Sequence, residues 1–130
     1  MTALPDVAKA LFDAPEFATI ATIEPDGRPQ LSVVWIERDG DDLLVSTVKG
    51  RRKQVNIAND PRVTVLVFAK ENPYSYVEVR GTAMMTEAGG RELIDRVCSA
   101  YMGWDRYPGD DGTDNVRVVV RIMPEKVILH

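Results

Sequence analysis

The sequence predicts a mostly β protein, an antiparallel barrel of six or seven strands, closed or split, with a few short helices. In several segments apolar and polar residues alternate with a period of two, as strands with one buried face require. Turn signals such as Asp26-Gly27 and Asp39-Gly40 separate these segments at short intervals. So many strands in 130 residues favour a barrel, because closing a sheet removes its exposed edges.

The predicted strands follow one another closely along the chain. The first two form a hairpin around Pro25-Asp26-Gly27, and the third completes a meander. Gly81, inside the longest strand, predicts a bulge or bend that lets the sheet curl. Pro124 is expected to separate the last two strands. The predicted strands are residues 17–23, 28–37, 43–48, 63–68, 74–85, 116–123 and 127–129.

Three segments predict helices. Residues 6–12 form a short amphipathic helix with one apolar stripe, and residues 51–59 are helix-compatible, with Val55 and Ala58 facing inward. The second helix ends before Pro61, because the residue preceding a proline avoids helical dihedrals. Residues 87–102 form the one substantial helix, since their apolar side chains recur at helical spacing. Residues 103–115 then form a polar loop.

Length and composition predict one split-barrel domain, residues 1–130, with a single core. Hydrophobic residues make up 45% of the chain and charged residues 28%, which argues against a largely disordered protein. A monomer of this size has little interior left for an enclosed ligand cavity. We therefore expect a site that is shallow or shared, which dimerisation would supply.

The scarcity of histidine and cysteine excludes several kinds of site. Cys98 is the lone cysteine and His130 the lone histidine, so we expect no disulfide framework, no zinc site and no Ser-His-Asp or Cys-His catalytic arrangement. The acidic loop, with Asp105, Asp110 and two further aspartates, lacks the spacing of a calcium loop. It is expected to be solvated, and no metal ligand is assigned.

The chain shows no signal peptide and no apolar run of membrane-spanning length, so we expect a cytoplasmic protein without a membrane partner. Its formal net charge of -4 disfavours binding to nucleic acid. A small nucleic-acid-binding barrel stays open as an alternative, because Trp35, Tyr74 and Tyr76 could stack on bases. Each of these aromatic residues is more often a core or interface filler. Trp104 and Tyr107, on the polar loop, could cover a site or a partner surface.

One short segment reverses the acidic character of the chain. Residues 49–53 carry four positive charges and no negative one. They lie where a predicted strand meets a predicted helix, whose first amides are free to bind an anion. The pattern predicts a site for a phosphate or a polyanionic tail, and the alternative is a solvated basic turn. The candidate anion-binding residues are Ser46, Thr47, Lys49, Arg51, Arg52, Lys53 and Asn56.

Three stretches, taken together, resemble a known family. They are residues 18–35 with DGRPQLSVVW at their end, residues 46–63 with STVKGRRKQVN at their start, and residues 76–83. In this order and spacing they are similar to the split β-barrel flavin and deazaflavin oxidoreductases, the pyridoxamine 5'-phosphate oxidase-like superfamily. The closing segment 117–129, with Pro124-Glu125-Lys126-Val127, adds to the resemblance. Within the superfamily the chain looks most like the branch that uses the deazaflavin coenzyme F420.

The resemblance implies an FMN-binding split-barrel fold and a homodimer with two cofactor sites at the subunit interface. It places the cofactor phosphate on Ser46, Thr47, Arg51 and Lys53, with Lys49, Arg52 and Asn56 nearby. The strand along the tricyclic ring matches residues 30–35, and residues 74–76 are expected to reach the cofactor of the other subunit. The residues named by the resemblance for the ring and the second subunit are Gln30, Ser32, Val33, Val34, Trp35, Tyr74, Ser75 and Tyr76.

The activity that the resemblance implies is hydride transfer between F420 and a small conjugated organic acceptor. The proton for the product would come from water or from Tyr76. An FMN-dependent oxidoreductase and a non-catalytic flavin-binding module stay open, because the same basic turn would hold the phosphate of FMN. Pyridoxamine phosphate oxidase activity itself is not expected, since those enzymes bind their substrate with a C-terminal segment beyond the position of His130.

Overall fold

The computed structural model describes residues 2–130. Seven strands and three helices form the fold within these residues. The helices are α1 (Asp6–Asp13), α2 (Arg52–Asn59) and α3 (Gly90–Met102). The strands are β1 (Ala18–Ile23), β2 (Pro29–Val34), β3 (Glu37–Asp39), β4 (Asp42–Val48), β5 (Arg62–Ala69), β6 (Asn72–Thr86) and β7 (Arg117–Leu129).

All seven strands belong to one antiparallel sheet in the order β2-β1-β5-β6-β7-β4-β3. The two outermost strands, β2 and β3, are joined only by Trp35 and Ile36. Because two residues span only about 7 Å, the sheet curls until its two ends approach each other. The predicted mostly β, antiparallel split barrel is thereby confirmed.

The barrel interior holds the main core. Ile20, Leu43 and Val65 are fully buried there, and α1 adds Ala8 and Phe12 to the same cluster. On the outer face of β4, Leu44 packs against Leu93, Ile94 and Val97 of α3 in a second apolar cluster. β4 is therefore buried on both faces, because each face meets a different apolar layer.

The last strand differs from its prediction. β7 runs without interruption through Pro124, so the expectation of two separate strands is wrong. The pairing of β6 with β7 shifts between Arg80 and Gly81, and Pro124 lies at this bulge. Proline has no N–H to donate to a neighbouring strand. At a bulge the interstrand hydrogen bonds are locally interrupted, so a proline is tolerated there. Gly81 is confirmed as the predicted bulge, since a Cβ there would overlap the carbonyl of Met123.

The second strand also differs, because it ends at Val34 and a new short strand begins at Glu37. Trp35, predicted to lie on a strand, lies in the link between them. The N–H of Ile36 donates to the hydroxyl of Tyr101 at 3.2 Å rather than to a neighbouring strand. Contacts with α3 therefore interrupt the strand, and alternation in the sequence carries no sign of this.

The helices are close to their predicted positions. The inward residues of α2 are Asn56 and Ile57 rather than Val55 and Ala58, so that part of the prediction is wrong. α3 begins at Gly90, where a Cβ would overlap the carbonyl of Arg117. Glycine there lets α3 approach β7. None of the helices within residues 2–130 has the length and apolar character needed to cross a membrane.

Candidate functional site

A cleft of about 270 Å³ lies beside the start of α2, between the β2–β3 link, α3 and the loop before β7. One end is basic, and the walls are largely apolar and aromatic. Its volume is slightly below the roughly 300 to 1,000 Å³ typical of small-molecule sites. The lining residues are Phe17, Val33, Val34, Trp35, Ser46, Arg51, Lys53, Ile94, Val97, Tyr107 and Arg117.

Arg51 and Lys53 form the basic end of the cleft. Neither side chain has a carboxylate within ion-pair distance among residues 2–130, whereas most other arginines of the chain are ion-paired. Burial, and to a lesser degree the charge of Arg51, lowers the pKa of Lys53. A bound anion would offset both effects. The amides of the first turn of α2, which begins between these residues, add further donors without intrahelical acceptors.

The other two cations of the basic segment point elsewhere. Lys49 pairs with Glu87 at 3.2 Å, and Arg52 lies 3.6 Å from Glu24, on the hairpin side of α2. Of the four cations, Arg51 and Lys53 line the cleft, and the predicted roles of Lys49 and Arg52 in cofactor binding stay predictions. Arg52 and Lys53 project in different directions because consecutive residues of a helix are about 100° apart, whereas Lys49 lies in the turn before α2.

The two hydroxyl groups of β4 are also separated. Ser46 lines the cleft, with its Oγ 3.5 Å from Nη1 of Arg117. Thr47, the next residue, is 2% exposed, and its Oγ1 has no hydrogen-bond partner among residues 2–130. Neighbouring strand residues face opposite sides of a sheet, so the predicted convergence of both hydroxyls does not occur. Phosphate binding by Thr47 stays a prediction.

Gln30, Ser32 and Asn56 meet in a hydrogen-bond chain that the sequence did not predict. Asn56 Nδ2 donates to Thr22 Oγ1 at 3.1 Å, and that hydroxyl donates to Gln30 Oε1 at 2.7 Å. Gln30 Nε2 then donates to Ser32 Oγ at 3.0 Å. Thr22 and Asn56 are fully buried, so this chain connects α2 with β1 and β2 rather than lining the cleft. The predicted roles of these residues in cofactor binding stay predictions.

The end of β2 and the residue that follows it do reach the cleft. Val33 is 70% exposed and lines the cleft together with Val34 and Trp35. Trp35 stacks on Tyr101, with ring centroids 5.8 Å apart. It makes a T-shaped contact with Tyr107, with ring centroids 6.1 Å apart. The predicted ring-side segment thus contributes an apolar strand edge and one fixed aromatic ring.

Residues 74–76 lie outside the cleft of their own chain. Tyr74 is 88% exposed, and Ser75 Oγ donates to the carbonyl of His130 at 3.4 Å. Tyr76 stacks on the imidazole of His130, with ring centroids 4.2 Å apart. The contact of this segment with a second subunit and the proton-donor role of Tyr76 stay predictions.

The loop at 103–115 is not solvated throughout, which corrects its prediction. Asp110 is nearly buried and accepts from Nε and Nη2 of Arg117 at 2.7 and 2.9 Å, and from Nη1 of Arg91 at 3.0 Å. These hydrogen bonds, the one from Arg117 above all, hold the pKa of Asp110 far below its usual range. Tyr107 lines the cleft, in agreement with the idea that this loop covers a site.

Several cleft residues were not identified from the sequence. Phe17 precedes β1, Ile94 and Val97 lie on α3 and Arg117 begins β7, and only the folded chain brings these three segments together. Arg117 resembles an exposed residue of an alternating strand, and its partner Asp110 resembles one of several loop aspartates. No cluster of three or more His, Cys, Asp or Glu side chains in the described part of the chain could hold a metal ion.

Solved structures similar to this chain share its fold. An F420 reductase is 28% identical, with 96% of this chain and 98% of that chain covered and a TM-score of 0.85. A conserved hypothetical protein from Mycobacterium tuberculosis is 26% identical, with 96% and 83% covered and a TM-score of 0.73. General Stress Protein 26 from Bacillus anthracis is 19% identical, with 93% and 88% covered and a TM-score of 0.69, a likeness of fold alone.

The family comparison covers nearly the whole chain. Residues 4–130 match the family described as pyridoxamine 5'-phosphate oxidase. The match includes every strand and helix of the barrel, the basic end of the cleft and the loop that carries Tyr107. The chain belongs to the pyridoxamine 5'-phosphate oxidase family.

Proposed function

We propose that this protein is an F420-dependent oxidoreductase that transfers a hydride between the deazaflavin coenzyme and a small conjugated acceptor. The observation that carries the proposal is the pair Arg51 and Lys53, two cations without carboxylate partners among residues 2–130, at the end of a cleft with aromatic and apolar walls. A phosphate attached to a flat ring has complementary chemistry. The similarity to an F420 reductase supports this choice of ring.

The residues present fit such a cofactor. Arg51, Lys53 and the first-turn amides of α2 would hold the phosphate, and Ser46 adds a hydroxyl beside them. Val33, Val34 and Trp35 would support the ring. The half-burial that lowers the pKa of Lys53 also strengthens its attraction for an anion, because fewer water molecules screen the charge. When bound, the deazaflavin would supply hydride chemistry that no protein side chain provides.

The chain's own contribution would be positioning and shielding. Apolar side chains from β2 and α3 exclude water from the cleft walls, and the fixed Trp35 ring defines the plane against which a flat molecule can lie. No histidine or carboxylate is among the residues that line the cleft. The proposed proton sources are water and Tyr76, whose phenol would have to be presented by a second subunit.

FMN is the second candidate cofactor, and the family match favours it. Its phosphate would use the same basic end, so the anion site does not distinguish the two coenzymes. The 28% identical F420 reductase favours the deazaflavin, because its TM-score of 0.85 exceeds the values of 0.73 and 0.69 for the other two structures described. A non-catalytic flavin-binding module would bind either coenzyme without turnover.

We further propose that the protein is a homodimer, with the cleft completed at the subunit interface. Leu31 and Val33 are 63% and 70% exposed on β2, and Val33, Thr19 and Leu66 form one row across β2, β1 and β5. Phe68, opposite Tyr76 in the register of β5 and β6, extends this apolar face. A second subunit would bury the face and enlarge a cleft that is small for a cofactor and an acceptor together.

Parallel titrations of the purified protein with F420, FMN and a single-stranded oligonucleotide test the proposal. We expect saturable binding of F420, weaker binding of FMN and no binding of the oligonucleotide, with F420 fluorescence and flavin absorbance as readouts. Reduced F420 should then be oxidised in the presence of a conjugated acceptor. Tighter binding of FMN would assign the flavin instead. Binding without turnover over a broad acceptor panel would indicate a non-catalytic module, and binding of neither coenzyme would refute the proposal.

A further inference from the structure

The loop between α3 and β7 holds one aromatic ring in place from several directions. The guanidinium of Arg117 lies over the ring of Tyr107 at 4.9 Å, and that of Arg91 lies 6.0 Å from its centroid. Trp35 meets the ring at 6.1 Å in an edge contact. A Cβ on Gly109 would overlap the far end of the ring, so Gly109 packs directly against it. The ring therefore has little room to retreat from the cleft that it lines.

The backbone around this ring is fixed as well. The N–H of Tyr107 donates to Asp95 Oδ1 at 2.8 Å, and its carbonyl accepts from Arg91 Nη2 at 3.3 Å. Asp110 joins Arg91 to Arg117 through the buried carboxylate described above. Arg106, which precedes Tyr107, and Asp111, which follows Asp110, form a bidentate pair at 2.9 and 2.7 Å. These hydrogen bonds hold the loop around Tyr107 in one position, so residues 106–111 form a fixed wall of the cleft rather than a mobile lid.

The charged side chains that hold this wall in place have no net charge. Two guanidinium groups, those of Arg91 and Arg117, face two carboxylates, those of Asp95 and Asp110, within the same hydrogen-bond network. The wall therefore adds no net charge to the cleft, in contrast to the end formed by Arg51 and Lys53. A neutral wall with a fixed ring discriminates between ligands by shape.

We propose that Tyr107 is the specificity-determining residue for the acceptor, and that it admits a flat conjugated ring while excluding one that carries bulky groups. This inference rests on the proposed function, because it concerns the acceptor that the cofactor-loaded protein would reduce. It assigns the loop at 103–115 a role that the family resemblance leaves undefined. Gly109 is a positioning residue, since it acts through the ring of Tyr107.

The test compares two neutral quinones, menadione, which is flat, and di-tert-butyl-benzoquinone, which is bulky. The quinone takes up one hydride from the reduced cofactor and one proton from water and becomes the hydroquinone, so oxidation of the cofactor reports turnover. We expect wild-type protein to favour menadione in kcat/KM by about tenfold or more. Tyr107→Ala should remove most of this preference by lowering KM for the bulky quinone, and Tyr107→Phe should retain it.

Two further variants separate a specificity role from a merely structural one. Gly109→Ala retains the tyrosine but pushes its ring toward the cleft, so KM should rise for both quinones. Asp105→Asn, an exposed position in the same loop, is the matched control and should behave as wild type. The Kd of F420, measured by its fluorescence without any quinone, should stay at the wild-type value in Asp105→Asn, and the same titration shows how much each of the other three variants changes cofactor binding itself.

The outcomes distinguish this inference from the function on which it rests. If wild-type protein binds neither F420 nor FMN, the cofactor titration shows this before a quinone is added, and both proposals fail. If the cofactor binds but Tyr107→Ala keeps the wild-type preference between the quinones, the assignment of Tyr107 is wrong. Failure of menadione to bind the cofactor-loaded protein, measured by saturation-transfer NMR, would also overturn it.

Discussion

Lys53 shows how a binding residue can cost stability when its ligand is absent. Its pKa is lowered because the fold removes water from the ammonium group and places Arg51 nearby. A lowered lysine pKa means that the unfolded chain binds the proton more tightly, so the charged form of Lys53 destabilises the fold below that pKa. This penalty would disappear as the pH rises above the ordinary lysine range.

The first prediction follows from that penalty. Lys53→Met should raise the thermal unfolding midpoint at pH 7 in the absence of cofactor, because it removes a partly buried and unpaired charge. Lys49→Met is the matched control, since Lys49 is exposed and paired with Glu87, and its midpoint should stay the same or fall. Differential scanning calorimetry measures both. A lower midpoint for Lys53→Met would contradict the view that Lys53 is held in place for a ligand.

The ionised side chain of Asp110 stabilises the fold, in contrast to the charged form of Lys53. Its pKa is lowered because Arg117, Asn115 and Arg91 stabilise its ionised form. The stability that this carboxylate provides is fully present above the ordinary aspartate value of 3.8 and is lost as the pH falls through its lowered pKa. The loop that carries Tyr107 should therefore be among the acid-sensitive parts of the molecule.

The second prediction is that Asp110→Asn destabilises the protein by about 3 kcal/mol or more at pH 7, because it leaves the buried cation of Arg117 without its counter-charge. Urea unfolding measures the change. Asp111→Asn, which leaves an exposed ion pair broken, should cost less than about 1 kcal/mol. Equal losses in the two variants would show that the buried pair has no special role.

At the scale of elements, the bulge between β6 and β7 is what lets the two longest strands of the barrel curl together. Gly81 lies against the backbone of Met123, and the register changes at this point. The third prediction is that Gly81→Ala destabilises the fold by about 1 to 3 kcal/mol, because the added methyl group must displace backbone. Thr82→Ala, the adjacent position, should cost less, and chemical denaturation compares them. A neutral Gly81→Ala would mean that the bulge is easily repacked.

The sequence predicted the elements that depend on local patterns and missed those that depend on contacts between distant residues. Alternation and turn signals located the strands, and Gly81 indicated the bulge. The break at Trp35 was missed, because its cause is α3, which lies more than fifty residues later. The basic segment indicated the position of the anion site, but the residue-level choice of Arg51 and Lys53 over Lys49 and Arg52 depends on Glu24 and Glu87.

At the scale of the whole molecule, the proposed cofactor site would be completed by a second subunit. The exposed face that contains Leu31 and Val33 belongs to the strand that borders the cleft, so assembly and cofactor binding should be coupled. The fourth prediction is that Leu31→Glu shifts the protein from dimer to monomer and weakens F420 binding, because a charge would be buried in the interface.

Sedimentation velocity and F420 fluorescence measure the two effects. Val7→Glu is the matched control, since Val7 is an apolar side chain on α1 that is 52% exposed, away from this face. It should stay dimeric and bind F420 like the wild type. A wild-type protein that is monomeric at micromolar concentration and binds F420 fully would show that the cleft is complete within one chain.

The central claim is that Arg51 and Lys53 hold the phosphate of the cofactor, and F420 titration of the double variant Arg51→Ala with Lys53→Ala tests it most directly. We expect the dimer to remain and Kd to rise by about a hundredfold or more, since each charged hydrogen bond contributes roughly 1.5 to 3 kcal/mol. Arg62→Ala with Lys126→Ala, which removes the same charge outside the cleft, should leave Kd near the wild-type value. An unchanged Kd in the first double variant would contradict the account.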